Sequence, residues 1–210
     1  TMIYGEGDFI NVSLILCGEE LPVSKLERIV SAALGEPMRI AERALIQEDK
    51  VFVLLRKSAK YDAVFGVASA NKDGSEKCGD THCVERLESD KFLVALSDGM
   101  GSGEYARRIS ESTISLLESF YRAKMPSSLV LSTINKLLTF SREEAFACVD
   151  IAVVDLDNGA ADIVKIGSPM GFILSGNTLK ILESGSLPLG ILESLHPDTS
   201  SYTCLLYTSP

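Results

Sequence analysis

Two consecutive helices stand between groups of strands in this sequence, and that order limits the possible folds more than any other feature. The spacing of apolar residues predicts helices over 104–121 and 127–140. The strands predicted after them are joined by short turns, among them Asp-Asn-Gly at 157–159 and Ser-Gly-Asn at 175–177. A βαβ repeat would instead alternate single strands with single helices. The pattern therefore predicts antiparallel sheets with helices packed on the outside.

The first third of the chain has the pattern of a separate small α/β unit. It combines predicted strands over 9–17, 38–46 and 51–55 with a helix over 22–34 that Gly35 terminates. We therefore expect residues 1–60 to form a small α/β regulatory or linker segment. Residues 61–210 are expected to form a second domain, whose predicted strands cover 61–70, 92–96, 148–156, 162–166, 171–174 and 178–182.

Composition excludes several classes of function. The formal net charge is -9, and there is no clustered basic face of the kind that nucleic-acid binding needs. No apolar run approaches the roughly 20 residues that span a bilayer. The five cysteines are odd in number and scattered, and the first residues do not have the pattern of a signal peptide. We therefore expect reduced thiols in the cytoplasm.

A glycine-rich loop directly follows the apolar run at 92–96, which is expected to form a strand buried on both faces. The loop reads Ser-Asp-Gly-Met-Gly-Ser-Gly at 97–103 and precedes the first predicted helix. A nucleotide-binding fingerprint is one interpretation, but the lysine and the glycine spacing of those motifs are missing. A plain Asp-Gly turn is another. The third is a metal site, because a poorly solvated carboxylate at Asp98 is costly unless it is paired or metal-bound.

A second aspartate in a similar setting favours the metal site. Asp80 follows Gly79 where a polar loop meets ordered chain. Asp80, Asp98 and the carbonyl of Gly99 are hard oxygen donors, which suit divalent cations. They could help to hold two cations about 3.5–4 Å apart, an arrangement that activates water and clamps a phosphoryl oxygen. A zinc site at Cys78, His82 and Cys83 is disfavoured, because structural zinc usually takes two such ligand pairs.

The combination of these residues resembles the bacterial PPM-type serine/threonine phosphatases, and among them the phosphatase domains of the stage II sporulation protein E family. Gly79-Asp80 is followed by Ser-Asp-Gly-Met-Gly-Ser-Gly-Glu-Tyr-Ala-Arg at 97–107. Later segments fit in the same order. They are Ser-Leu-Leu-Glu at 115–118, Thr-Ile-Asn at 133–135, Val-Asp-Ile-Ala-Val-Val-Asp-Leu at 149–156, Lys-Ile-Gly-Ser-Pro at 165–169 and Leu-Pro-Leu-Gly-Ile at 187–191.

The resemblance covers about residues 60–200 and implies an α-β-β-α sandwich of two antiparallel sheets flanked by helices. It also implies Mn²⁺- or Mg²⁺-dependent dephosphorylation of phosphoserine or phosphothreonine, by attack of metal-bound water. By position, Asp98 would bridge the two metals, Gly99 would lend its carbonyl and Asp80 would ligate one metal. The implied substrate is a phosphorylated anti-anti-sigma-type protein. The implied parent protein lies at the inner face of a membrane, with this piece in the cytoplasm.

One departure from the family pattern concerns the later ligands. The family has another aspartate-glycine pair after the last sandwich strand and a further acidic ligand near its C-terminus. Here Ser209-Pro210 stands where that aspartate is expected. We therefore expect this chain to be a piece of a longer protein that holds the first half of the ligand set and binds metal weakly. The alternative function is a catalytically inactive, phosphatase-like binding module.

Other polar residues have simpler interpretations. His82 is either a proton donor to the leaving group or a polar loop residue. Asp150 and Asp155 are expected at edge or hairpin-flanking positions rather than facing the site. Arg107 and Arg108 are expected to be solvated surface residues.

Overall fold

The structure is a computed structural model, which describes residues 2–4, 10–17, 22–47, 50–69, 79–87, 90–100, 103–141 and 144–203. The chain forms two compact units, Thr1–Lys60 and Tyr61–Pro210. None of the helices in this described part is long and apolar enough to cross a membrane.

The N-terminal unit is one antiparallel sheet with a single helix. Its sheet has the strand order β1-β2-β4-β3. Helix α1 contributes Leu26 and Val30 to a buried cluster with Val12, Val53 and Leu55 of the sheet. The helix ends at Gly35, whose φ of 72° requires the left-handed conformation that glycine adopts readily. The elements are β1 (Met2–Tyr4), β2 (Asn11–Cys17), α1 (Val23–Leu34), β3 (Met38–Gln47) and β4 (Lys50–Lys57).

The C-terminal unit is built on a five-stranded antiparallel sheet with the order β11-β8-β7-β6-β5, beside a separate β9-β10 hairpin. The two helices lie consecutively between β6 and β7, as predicted. The elements are β5 (Asp80–Leu87), β6 (Lys91–Gly99), α2 (Gly103–Arg122), α3 (Ser127–Thr139), β7 (Ala147–Asp155), β8 (Ala160–Ile166), β9 (Gly171–Ser175), β10 (Thr178–Leu182) and β11 (Asp198–Thr203).

The core of this unit lies between the five-stranded sheet and helices α2 and α3. Leu93 and Ala95 of β6 are fully buried there with Leu117 of α2 and Ile134 of α3. We call the opposite face of the sheet the far face. Leu96 lies on the far face and is 46% exposed. The prediction that the 92–96 strand is buried on both faces was therefore wrong, because an antiparallel sheet can pack on one face only.

The hairpin signal at 157–159 is confirmed as the turn between β7 and β8. Gly159 adopts a φ of 72°, and its amide donates a 2.8 Å hydrogen bond to the carbonyl of Asp155. The Asp155 carboxylate accepts hydrogen bonds from the amides of Asp157 and Asn158, at 2.9 and 3.2 Å. Asp155 therefore shapes the hairpin, as its flanking position indicated.

Three strand assignments needed correction. Residues 61–69 form no strand, although the Tyr61 amide donates to the Leu156 carbonyl at 2.9 Å and the Phe65 ring lies 6.2 Å from that of Phe92. Their apolar composition favours a strand, but no strand of the described residues pairs with them. Conversely, β5 and β11 were not predicted. Both are polar edge strands, whose existence depends on a paired neighbour.

Candidate metal centre

Asp80 and Asp98 lie directly opposite each other on neighbouring strands. In the antiparallel β5-β6 pair, Asp80 is in register with Asp98 and Thr81 with Ser97. Opposed residues on two strands present their side chains on the same face, with Cβ atoms about 4.5–5.5 Å apart. The structure thus brings together the two carboxylates that the sequence singled out eighteen positions apart.

The alternation of β6 explains why Asp98 is accessible at the end of a buried strand. Ser97 is fully buried on the helix side, and its carbonyl accepts a 2.7 Å hydrogen bond from the hydroxyl of Ser110 in α2. Because successive side chains of a strand alternate between faces, Asp98 is on the far face. Helix α2 therefore holds the strand from the other face and leaves the Asp98 carboxylate on the exposed face.

At Gly99 the backbones of β6 and α2 approach each other closely. A Cβ atom added to Gly99 would lie 1.9 Å from the carbonyl oxygen of Ala106. Only glycine fits there. A Cβ atom added to Gly79 would lie 3.6 Å from the Gly99 carbonyl oxygen and 3.9 Å from Asp98 Oδ1. The carbonyl of Gly99 and the carboxylate of Asp98 therefore share the end of the sheet at which β5 begins. Gly101 and Ser102 of the loop lie outside the described residues.

The two carboxylates repel each other. The pKa of Asp98 is raised above its ordinary value by burial, then by the charge of Asp80, and further because a hydrogen bond to Asp80 favours the protonated carboxyl. A divalent cation between them would relieve this repulsion. The donors are hard oxygens, which fit Mg²⁺ or Mn²⁺ better than zinc. Within the described residues no group of three or more His, Cys, Asp or Glu side chains could hold a metal.

The repulsion predicts that Asp98→Asn stabilises the metal-free protein at neutral pH. Removing a like charge opposite another is expected to add roughly 0.2–1 kcal/mol to the free energy of unfolding. The pKa of Asp98 is higher in the folded protein than its ordinary value of 3.8. The charged Asp98 therefore destabilises the wild type fully above the folded-state pKa and not at all below 3.8, where the carboxyl is protonated in both states. Thermal unfolding with a chelator should therefore show a gain at pH 7 that vanishes below pH 3.8. A variant that is less stable at pH 7 would contradict the prediction.

A second polar group lies next to the pair on the far face. Asp98 is in register with Cys148 of β7, and Asp150 is two residues further along that strand. Asp150 forms an ion pair with Lys165 of β8 and accepts a 2.7 Å hydrogen bond from the hydroxyl of Ser168. Asp150 is on the central strand, so the prediction of an edge or hairpin-flanking position was wrong.

Lys165 was missed as a candidate. It is only 4% exposed, which is unusual for lysine. The available signal was a lysine within the apolar strand Ala160–Ile166, in register with an aspartate across the hairpin.

The pKa of Cys148 is raised by burial and then by the charges of Asp98 and Asp150. The thiol therefore lies within the field of both carboxylates.

The remaining candidates are separated from the pair or bound elsewhere. His82 is exposed on β5, two residues from Asp80 and on the same face. Cys83 instead packs against the helix-side core, and burial raises its pKa to about 11. Because His82 and Cys83 are on opposite faces, they cannot share a zinc ion. Cys78 lies outside the described residues. Arg107 forms an ion pair at 2.7 Å with Glu111 on the surface of α2.

The chain is similar in sequence to stage II sporulation protein E. The family model of stage II sporulation protein E (SpoIIE) matches residues 88–205, more than half of the chain. The chain is 34% identical over 134 residues to stage II sporulation protein E of Priestia megaterium, covering 63% of this chain and 23% of that protein. It is 29% identical over 150 residues to the Bacillus subtilis (strain 168) protein, covering 71% of this chain and 18% of that protein. The chain thus spans less than a quarter of either relative.

Solved structures support the fold. A structure of the PP2C phosphatase domain and a fragment of the regulatory domain of SpoIIE from Bacillus subtilis matches with a TM-score of 0.69 and 25% identity. The match covers 96% of this chain and 60% of that one. RsbX in complex with magnesium matches with a TM-score of 0.55 and 20% identity, over 64% of this chain and 65% of that one, which concerns the fold alone. The fold class implied by the sequence resemblance is confirmed.

Proposed function

This chain belongs to the stage II sporulation protein E family, and we propose that it carries part of a metal-dependent protein serine/threonine phosphatase site. Residues 61–210 would be the phosphatase domain and residues 1–60 a regulatory or linker segment. The observation that carries the proposal is the register pairing of Asp80 with Asp98 beside the carbonyl of Gly99. Two carboxylates held in register repel each other and so lower the stability of the fold. The same arrangement of negative charge and oxygen atoms is suited to binding cations.

The proposed roles of the residues follow from their positions. The family resemblance gives Asp98 the role of holding both cations, and the register with Asp80 and the nearby Gly99 carbonyl support it. Asp80 would hold one cation, and the Gly99 carbonyl would complete part of the shell. Mn²⁺ or Mg²⁺, when bound, supplies positive charge to a phosphoryl oxygen and lowers the pKa of coordinated water. The carboxylates themselves would orient the cations and hold no covalent intermediate.

The openness of the site supports a protein substrate. Asp80 and Asp98 are both exposed at the end of the sheet, so a phosphoserine on the surface of a partner could approach them. The family membership supports a phosphorylated anti-anti-sigma-type regulatory protein as that partner. We further propose that the chain works in the cytoplasm, at the inner face of a membrane to which its parent protein is attached.

A second candidate function is a phosphatase-like module that binds its partner without turnover. It is favoured by the small donor set, because the described residues contain no cluster of three metal-binding side chains. Such a module would bind the phosphorylated partner equally well with Mn²⁺ or a chelator, and Asp98→Asn would leave binding unchanged.

The two functions are separated by measuring phosphate release from a phosphoserine peptide and from a phosphorylated anti-anti-sigma-type protein. The protein is used as its host expresses it, with Mn²⁺, Mg²⁺ or a chelator. We expect release with Mn²⁺ or Mg²⁺, faster for the protein than for the peptide, and none with the chelator. Metal-independent partner binding without any release would support the binding module and contradict the enzyme. Equal rates on peptide and protein would contradict the substrate assignment alone.

A further inference from the structure

A buried ion pair on the far face of the five-stranded sheet lies close to the candidate metal centre. The ammonium group of Lys165 binds Asp150 Oδ1, and the Ser168 hydroxyl donates to the same oxygen at 2.7 Å. The side chain of Lys165 is 5% exposed and that of Asp150 is 31% exposed. Burying such a pair is often no more stable than burying two apolar residues of similar size. Its presence therefore calls for an explanation other than stability.

The register of the sheet defines where this pair lies. Asp98 of β6 is opposite Cys148 of β7, so Asp150, two residues further, is a diagonal neighbour of Asp98 on the same face. Diagonal neighbours across two strands are separated by about 7–8 Å. Lys165 is directly opposite Asp150 on the other side, in β8. A third carboxylate and its counter-ion therefore lie on the same face, with Asp150 one strand away from Asp98 and two strands away from Asp80.

At this distance a single charge affects the binding of a divalent cation. A cation at the exposed Asp80–Asp98 pair would be screened by solvent. In bulk water, with a dielectric constant of about 80, a unit charge about 8–10 Å from a doubly charged ion still changes the affinity several-fold. As long as Asp150 and Lys165 are paired, their charges largely cancel at the metal centre. Removing either charge alone would leave the other acting on the cation, with opposite sign.

We propose that Asp150 and Lys165 are positioning residues that set the electrostatic potential at the Asp80–Asp98 site, and so its affinity for divalent cations. Lys165 neutralises Asp150 and prevents it from adding a third negative charge to the site. Asp150 prevents the buried ammonium from repelling the cation. The inference rests on the proposed function, since it concerns the affinity of that same site.

The test replaces each charged side chain with a neutral side chain that carries an amide and can still form hydrogen bonds, in the variants Asp150→Asn and Lys165→Gln. Mn²⁺ affinity is measured by titration calorimetry and by the electron paramagnetic resonance signal of free Mn²⁺, at low ionic strength. We expect Lys165→Gln to bind Mn²⁺ about three- to tenfold more tightly and Asp150→Asn about three- to tenfold more weakly. The double variant should return close to the wild-type affinity, because no net charge is left.

Asp162→Asn is the matched control, because Asp162 is exposed on the same strand β8 but on the opposite face from Lys165. It should leave Mn²⁺ affinity unchanged. If the pair had only a structural role, both single variants would lose thermal stability. Their Mn²⁺ affinities would then be unchanged, or would shift in the same direction. Either result would overturn the inference and leave the proposed function standing. Absence of Mn²⁺ binding by the wild type would overturn the proposed function and the inference together. If one single variant does not fold, the direction in which the Mn²⁺ affinity of the other variant changes tests the inference.

Discussion

Asp98→Asn is expected to reduce metal-dependent phosphate release at least about hundredfold. Substituting residues that only support metal ligands already costs about 10–100-fold in affinity or activity, and the proposed role of Asp98 is to bridge two cations directly. An asparagine keeps the size of the side chain and one oxygen but loses the charge that attracts the cations. Asp80→Asn should have a smaller effect, since Asp80 is proposed to hold one cation. The assay is phosphate release from a phosphoserine protein at increasing Mn²⁺.

Two controls separate this loss from misfolding. Glu193→Gln removes an exposed carboxylate in the 183–197 segment and should leave the rate unchanged. The Asp98→Asn protein itself should be folded and no less stable than the wild type without metal, because a repulsion has been removed. Wild-type activity in Asp98→Asn at saturating Mn²⁺ would refute the assignment of Asp98. An effect of Asp80→Asn larger than that of Asp98→Asn would refute the bridging role.

Gly99→Ala is expected to lower the free energy of unfolding by about 3 kcal/mol or more. Inserting one extra carbon into a packed site typically costs about 1–3 kcal/mol when side chains can move. Here the added Cβ would lie 1.9 Å from the carbonyl oxygen of Ala106 and 2.7 Å from its carbonyl carbon. These are backbone atoms of helix α2, so relief requires β6 and α2 to separate. Urea unfolding of the variant measures the loss.

Gly79→Ala is the matched control, because its added Cβ would make only ordinary contacts, the nearest at 3.6 Å. It should change stability by much less than Gly99→Ala. A second test uses Ala106→Gly in the Gly99→Ala background. It should restore nothing, because the clash involves the backbone of residue 106 and not its side chain. Restoration of stability by Ala106→Gly, or a Gly99→Ala protein as stable as the wild type, would show that the strand-helix contact is looser than described.

The sequence predicted well the features that are encoded locally. The two helices follow from apolar spacing, and the turn at 157–159 follows from residues that favour it on their own. The Asp98 loop was recognisable because a carboxylate followed by glycines after an apolar strand is unusual in itself. Asp80 was paired with Asp98 because it is a second carboxylate in a similar setting, the family resemblance added their metal-binding roles, and the structure has both in register.

Features that depend on pairing could not be predicted in this way. β5 and β11 are strands because neighbouring strands supply their hydrogen bonds, and their polar sequences alone give little indication of it. The burial of Lys165 likewise depends on Asp150 across the hairpin and Ser168 in the following turn. Residues 61–69 show the reverse case, in which apolar composition favours a strand that finds no partner among the described residues.

The alternation of β6 makes the length of this strand as important as its composition. Deleting one residue between Leu93 and Asp98 would exchange the two faces of the strand. The carboxylate would then point toward helix α2, and Gly99, which has no side chain, would take its place beside Asp80. Deleting two residues would restore the facing but move Asp98 out of register with Asp80. Insertions and deletions in β6 are therefore expected to be more damaging than most substitutions. A substitution changes one side chain, whereas an insertion or deletion changes the face and the register of Asp98.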